Sequence, residues 1–239
     1  MHYISILSTL VTFIFTAAVF TRYRRKGGAH LLLWSIGLTF YGLGTLTEVI
    51  LAFTFNGLAL RLWYLCGAML TAAWLGQGSM NLLVRRGRIA QVLNVILGLV
   101  SLAALGLVLA APLTSAAAGY NVNLPASVQY KEILTRSGGM VLLTVLLNIY
   151  GTLALVGGAT YSAFLFWRKK VLMNRVVGNI LIAAGALLPA SAGSLVQAGL
   201  VDWLYVSEFF GVILMYVGFI QATAPLPAPV QTPAVPAVQ

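Results

Sequence analysis

The sequence predicts an all-α, polytopic bundle of seven transmembrane helices, with its N-terminus outside and its C-terminus inside. Three observations carry that prediction. Sixty per cent of the 239 residues are hydrophobic and only 8% are charged, whereas a soluble domain has about 25% charged residues. Apolar runs of about 20 residues, the length that crosses a bilayer, recur along the whole chain. Basic residues gather at alternate ends of those runs, as the positive-inside rule requires.

The first span covers about residues 3–20 and is followed by TRYRRKGG. A signal peptide carries its positive charge before the apolar core, so this run reads as a retained anchor. The second span runs over about 30–53, the third over 60–83 with RRGR behind it, and the fourth over 89–111. A loop with Tyr120, Asn121, Asn123, Pro125 and Tyr130 follows. The fifth span covers about 139–167 and ends in WRKK, the sixth 176–199 and the seventh 203–222. Residues 224–239 form a tail with five of the eight prolines and no charge. Such a tail cannot be a helix interior and is expected to be extended or disordered.

This arrangement puts eleven of the fourteen Lys and Arg residues on one side: Arg22, Arg24, Arg25, Lys26, Arg85, Arg86, Arg88, Arg168, Lys169, Lys170 and Arg175. Only Arg61, Lys131 and Arg136 fall on the other. In a soluble protein a net charge of +10 would suggest nucleic acid. Here its placement assigns it to membrane topology, in a plasma (cytoplasmic, inner) membrane. The odd number of spans, with a nearly featureless fourth, also permits a 3+1+3 repeat. NGLALRLWY and AGLVDWLYV, at the turns into the third and seventh spans, are the matching segments.

Twenty-four glycines suit helices that approach closely in lipid. The single cysteine, Cys66, excludes an intramolecular disulfide or a CxxC motif. His2 and His30 are too peripheral for a haem-bearing bundle. No Ser/His pair or HExxH motif is present, so no enzyme is expected. Two carboxylates without ExxH spacing give no metal site either.

Residues three, four and seven apart share a helix face. On the second span Trp34, Gly37, Tyr41, Gly44 and Glu48 make one stripe. On the third span the stripe is Trp63, Gly67, Thr71, Trp74, Gly78 and Asn81, with Arg61 and Tyr64 beside its start. The fifth offers Thr144, Asn148, Gly151 and Gly158, and the seventh Tyr205, Glu208, Val212 and Met215. In the fourth span Asn94 and Ser101 are the interior polar residues. A carboxylate inside a span is unfavourable by roughly 2.5–3.5 kcal/mol and tends to face protein or water. Glu48 and Glu208 each sit about five residues, roughly 8 Å, below the outer end of their spans. Gln197 and Arg61 lie near the same level, and nothing comparable is expected in the inner half.

An outward-opening cavity would unite these groups. The candidates for ligand or proton binding are Glu48, Glu208, Arg61, Tyr41, Trp63, Tyr64, Tyr205, Gln197 and Asn148. Pro189, inside the sixth span, is a kink or hinge candidate. Asp202 reads as a cap of the seventh. The alternative to a cavity is a structural Arg61–Glu48 ion pair, with Glu208 protonated or hydrogen-bonded to Tyr205.

Seven spans in this orientation resemble the topology of opsins, heptahelical receptors and the small sugar-type transporters with 3+1+3 repeats. Arg61, Trp63 and Tyr64 are similar to the arginine and aromatics in the third helix of opsins. Pro189 looks like their sixth-helix proline. Glu208 is similar to the seventh-helix acid four residues before the retinal-binding lysine. Position 212 is Val, however, and the seventh span holds no lysine. A retinal Schiff base is therefore excluded and no cofactor is expected. NLLVRRG lacks the receptors' acidic-arginine-aromatic triplet, and NPxxY and the transporters' PQ dipeptides are absent.

Three functions stay open. One is a non-catalytic, receptor-like or sensory protein that binds a small ligand or lipid in the cavity. Its protein partner would sit at the basic cytoplasmic face or the proline-rich tail. The others are a small proton- or cation-coupled transporter, and a structural subunit of a larger membrane complex.

Overall fold

The computed structural model describes residues 2–84, 88–170, 172–197 and 202–224, and only the backbone of His2, residues 192–197 and Asp202. Arg85, Arg86, the tail from residue 225 and the side chains of Gln197 and Asp202 lie outside the described residues.

The described chain is helical, without a strand. Its α-helices are α1 (His2–Lys26), α2 (Ala29–Phe53), α3 (Gly57–Leu83), α4 (Ile89–Ala110), α5 (Ala126–Ile133), α6 (Gly138–Arg168), α7 (Met173–Gln197) and α8 (Asp202–Thr223). All except α5 are long and apolar enough to span a membrane, as an integral multi-pass protein in a lipid bilayer requires. α1 continues past Phe20 through the basic cluster, because Arg24, Arg25 and Lys26 favour the negative end of the helix dipole. Gly27 (φ 68) and Gly28 (φ 102) then take left-handed conformations that reverse the chain within two residues.

Two helix starts at the opposite end are capped by short polar side chains. Asn56 accepts from the amides of Leu58 (2.9 Å) and Ala59 (3.0 Å), and Ser137 from that of Met140 (3.2 Å). Most hydroxyls within α1 and α2 return to their own helices, as in Thr9 to the Ser5 carbonyl (2.8 Å) and Ser35 to that of Leu31 (2.8 Å). Most serines and threonines of these spans are satisfied in this way; the buried hydroxyl of Ser8 is an exception and has no partner.

The spans pack as a ring in the order α1, α2, α3, α6, α7, α8 and back to α1, with α4 outside it against α3. Val92, Val95, Ile96, Leu99 and Leu102 leave one face of α4 exposed. α7 and α8 pack most intimately, Gly178 opposing Gly218 and Gly185 opposing Gly211, each backbone within 3 Å of where a Cβ would lie. Four small residues thus bring two helices to a distance that larger side chains forbid.

The third span departs from a plain helix. Trp63–Leu70 is π-helical, between α-helical Gly57–Leu62 and Thr71–Leu83. The amide of Thr71 reaches back five residues to the Cys66 carbonyl, and its hydroxyl does the same at 2.7 Å. The wider π turn rotates the two halves of α3 relative to the register that a uniform helix would keep.

The segment between α4 and α6 is more structured than the loop expected there. Leu113 and Leu134 form an antiparallel bridge, flanked by bonds from the Thr114 amide to the Ile133 carbonyl (2.9 Å) and from the Thr135 amide to the Pro112 carbonyl (3.0 Å). This clasp turns α5 back over the end of the bundle. Aromatic contacts hold it there: Phe55 with Tyr120 at 5.0 Å, Trp63 with Tyr130 at 5.3 Å and Tyr64 with Tyr130 at 5.6 Å. We refer to this as the lid end, and to the opposite end as the basic end.

Candidate functional site

Beneath α5, inside the ring, lies a cavity of about 680 Å³ walled by α2, α3, α5, α6, α7 and α8. Tyr41, Gly44 and Glu48 line it from α2, and Trp63, Gly67 and Thr71 from α3. Each trio is spaced so as to keep one helix face inward. Asn148 and Leu155 reach it from α6, Pro189 from α7, Glu208 and Met215 from α8, and Ser127, Tyr130 and Lys131 from α5. Most of the wall is apolar.

The two acids meet across this space. Glu48 lies five residues from the Phe53 end of α2 and Glu208 six from the Asp202 end of α8, about 8 and 9 Å along the axes. Their carboxyl groups are within side-chain hydrogen-bonding reach of each other. A hydrogen bond between two carboxyls would need a proton on one of them. The Tyr41 hydroxyl donates to the Glu208 backbone carbonyl at 2.9 Å and ties α2 to α8 beside the pair. Glu48 is only 3% exposed, yet its Oε1 has no hydrogen-bond partner. The buried hydroxyl of Ser127 likewise has none. Buried polar atoms are seldom left this way.

Arg61 is not part of this arrangement. Its guanidinium donates to the Ala111 carbonyl from Nη2 (2.8 Å) and Nε (3.3 Å), and to the Gly57 carbonyl from Nη1 (3.5 Å). In place of the Arg61–Glu48 ion pair offered as the alternative to a cavity stands a clamp between the start of α3 and the lid segment. Helix-end carbonyls are acceptors that a charge-pairing argument overlooks. Trp63, and not Arg61, lines the cavity.

Tyr64 lies outside the cavity wall, bonded through its hydroxyl to Thr144 at 2.9 Å. Asn148 donates to the carbonyls of Ala68 (2.7 Å) and Thr144 (2.8 Å), pinning the π segment to α6. Tyr205 is buried on α8. Pro189 stands inside α7 against Gly211, whose missing side chain admits the proline ring. Val212, at the position where opsins carry lysine, is fully buried in the core with Phe15, Tyr41 and Met215.

The tyrosines of the lid segment register the cavity's surroundings. Burial, and then the nearby Glu48 charge, push the Tyr120 hydroxyl up to about 12. Burial also raises Tyr130, against the pull of the Arg136 guanidinium stacked 5.0 Å over its ring.

A second polar cluster lies toward the basic end, where none was expected. Gln77 is fully buried and its Nε2 donates to Asn94 Oδ1 (2.6 Å) and to the Ala90 carbonyl (3.2 Å). Asn81 donates to the same Asn94 oxygen at 2.7 Å, and the Tyr150 hydroxyl bonds Gln77 Oε1. Trp74 Nε1 reaches Ser101 at 3.0 Å. These bonds fasten α4 and α6 to α3. The stripe from Trp63 to Asn81 therefore splits: Trp63, Gly67 and Thr71 face the cavity, Gly78 packs on Trp34, and Trp74 and Asn81 face α4.

Among the described residues no group of three His, Cys, Asp or Glu side chains could hold a metal ion. Compared with known protein families, with curated proteins and with solved structures, the chain matches none.

Proposed function

We propose that the chain is a non-catalytic, receptor-like membrane protein that binds a small ligand in the cavity, its lid end facing outward. The observation that carries this reading is the unpartnered Glu48 oxygen, nearly completely buried and lining a space of about 680 Å³. Pockets of ~300–1,000 Å³ with an apolar wall and a few polar groups are of the size that holds small molecules. Output would pass to a partner at the basic end. Native mass spectrometry of the detergent-extracted protein tests the reading. The parent should retain a small-molecule adduct, and Glu48→Gln and Gly67→Leu, which fills the cavity, should lose it. Identical bare-protein spectra for all three would sink the idea.

The juxtaposed carboxyls favour a second reading, proton-coupled transport, because intramembrane acids often form proton relays. In proteoliposomes loaded with the pH dye pyranine, it predicts proton flux that Glu48→Gln and Glu208→Gln abolish. Equal flux in parent and variants would discard it.

A further inference from the structure

Resting on the reading that the cavity holds a ligand, we propose that this ligand is a membrane-dissolved amphiphile with a hydroxyl head. It enters sideways from the bilayer, through the gap between α6 and α7.

The rim of the cavity gives the route. Ile149 and Leu153 of α6 line the cavity, yet they are 53% and 70% exposed. Ala190 of α7 also lines the cavity and is exposed. A residue that borders an interior space while more than half of it stays uncovered sits at the edge of an opening. Ile149 and Leu153 lie 11 and 15 residues from Gly138, about 16 and 22 Å along the helix. In a bilayer with a hydrocarbon core about 30 Å thick, that opening meets acyl chains and not water. On the α7 side the described lining residues are Ala186, Pro189 and Ala190, all with short side chains.

The interior gives the chemistry. Past the rim the wall is Ala72, Leu75, Leu155, Leu204 and Met215, which suits a hydrocarbon chain. Glu48 Oε1 and the Ser127 hydroxyl wait without partners. A carboxyl oxygen that lacks a donor is satisfied by an O–H or N–H group, so the head must donate. Lys131 lines the lid-end rim of the same space, and its positive charge disfavours a cationic head.

Two photoactivatable probes separate the routes in phosphatidylcholine vesicles holding the full chain. One is hexadecanol with a mid-chain diazirine, dissolved in the bilayer. The other is a short diazirine amine, confined to water. After illumination, peptide mass spectrometry locates the labels. The alcohol should label the cavity wall around Glu48 and Glu208. Ala190→Phe, at an exposed position, should cut that labelling several-fold and leave labelling of the lipid-facing α4 unchanged. Leu153→Ala should keep or raise it. Equal cavity labelling in Ala190→Phe and the parent overturns the route. Labelling by the aqueous amine alone overturns lateral entry but leaves a ligand cavity in place. Labelling by neither probe overturns both.

Discussion

Gly44 and Gly67 touch where α2 crosses the π segment, but the contact is lopsided. A Cβ on Gly44 would lie 2.8 Å from the Gly67 Cα and 3.0 Å from its amide nitrogen, backbone atoms that cannot turn aside. A Cβ on Gly67 would meet only the Gly44 Cα, at an ordinary 3.6 Å. Gly44→Ala must therefore push the two helices apart, by about 0.6 Å to reach the 3.4 Å where ordinary contact begins. Overpacking of that kind costs about 1–3 kcal/mol. Gly67→Ala should be neutral or stabilising, because alanine is favoured over glycine in a helix by roughly 0.5–1 kcal/mol. At about 2–4 °C per kcal/mol for a chain of this size, Gly44→Ala should melt about 2–12 °C below the parent. Gly67→Ala should melt at or above it. Cys66, the single cysteine and only 3% exposed, is a built-in reporter: a maleimide dye that fluoresces on reaction follows its exposure during heating in detergent. Equal melting temperatures for the two variants would refute the reasoning, since it rests on the asymmetry of one contact.

Gln77→Leu should strip Tyr150 and Asn94 of their shared partner and cost about 1–3 kcal/mol, read in the same melting assay. Arg61→Ala should lower the melting temperature by loosening the clamp on Ala111. In a double-mutant cycle with Glu48→Gln the two effects should add within about 0.5 kcal/mol; a larger coupling would restore the ion pair. Tyr120 ionises near 12 when folded against an ordinary 10.0. A raised folded value means its stability contribution is complete below pH 10 and lost as pH rises to about 12. The melting temperature of the parent should fall over that window more than that of Tyr120→Phe, and parallel curves would show that the lid segment leaves Tyr120 in water.

The seven spans were legible because hydrophobic length and charge placement are local properties of the sequence. So was the common level of Glu48 and Glu208, which counting along each span reveals. Their meeting was not legible, since it depends on α8 closing the ring beside α2. The fate of Arg61 was hidden for a different reason: its acceptor is a backbone carbonyl, and every residue has one. Gln77 went unnoticed because three of its partners, Ala90, Asn94 and Tyr150, come from other helices. The π turn hid the division of the third-span stripe, since helical spacing assumes one pitch from end to end. α5 reads as a loop in the sequence because its eight residues follow Asn123 and Pro125 and include Gln129, Lys131 and Glu132.

The π segment has a further consequence, in the arithmetic of descent. A wide turn accommodates an extra residue without disturbing the helix on either side. Trp63–Leu70 separates a half of α3 that faces the cavity from a half bolted to α4 and α6 through Gln77 and Asn81. Gains or losses of single residues within this stretch re-aim Trp63 and Gly67 while the bolted half keeps its neighbours. Related chains should therefore differ by one residue here more readily than anywhere else along their spans, and their pockets should differ in shape where their lengths do.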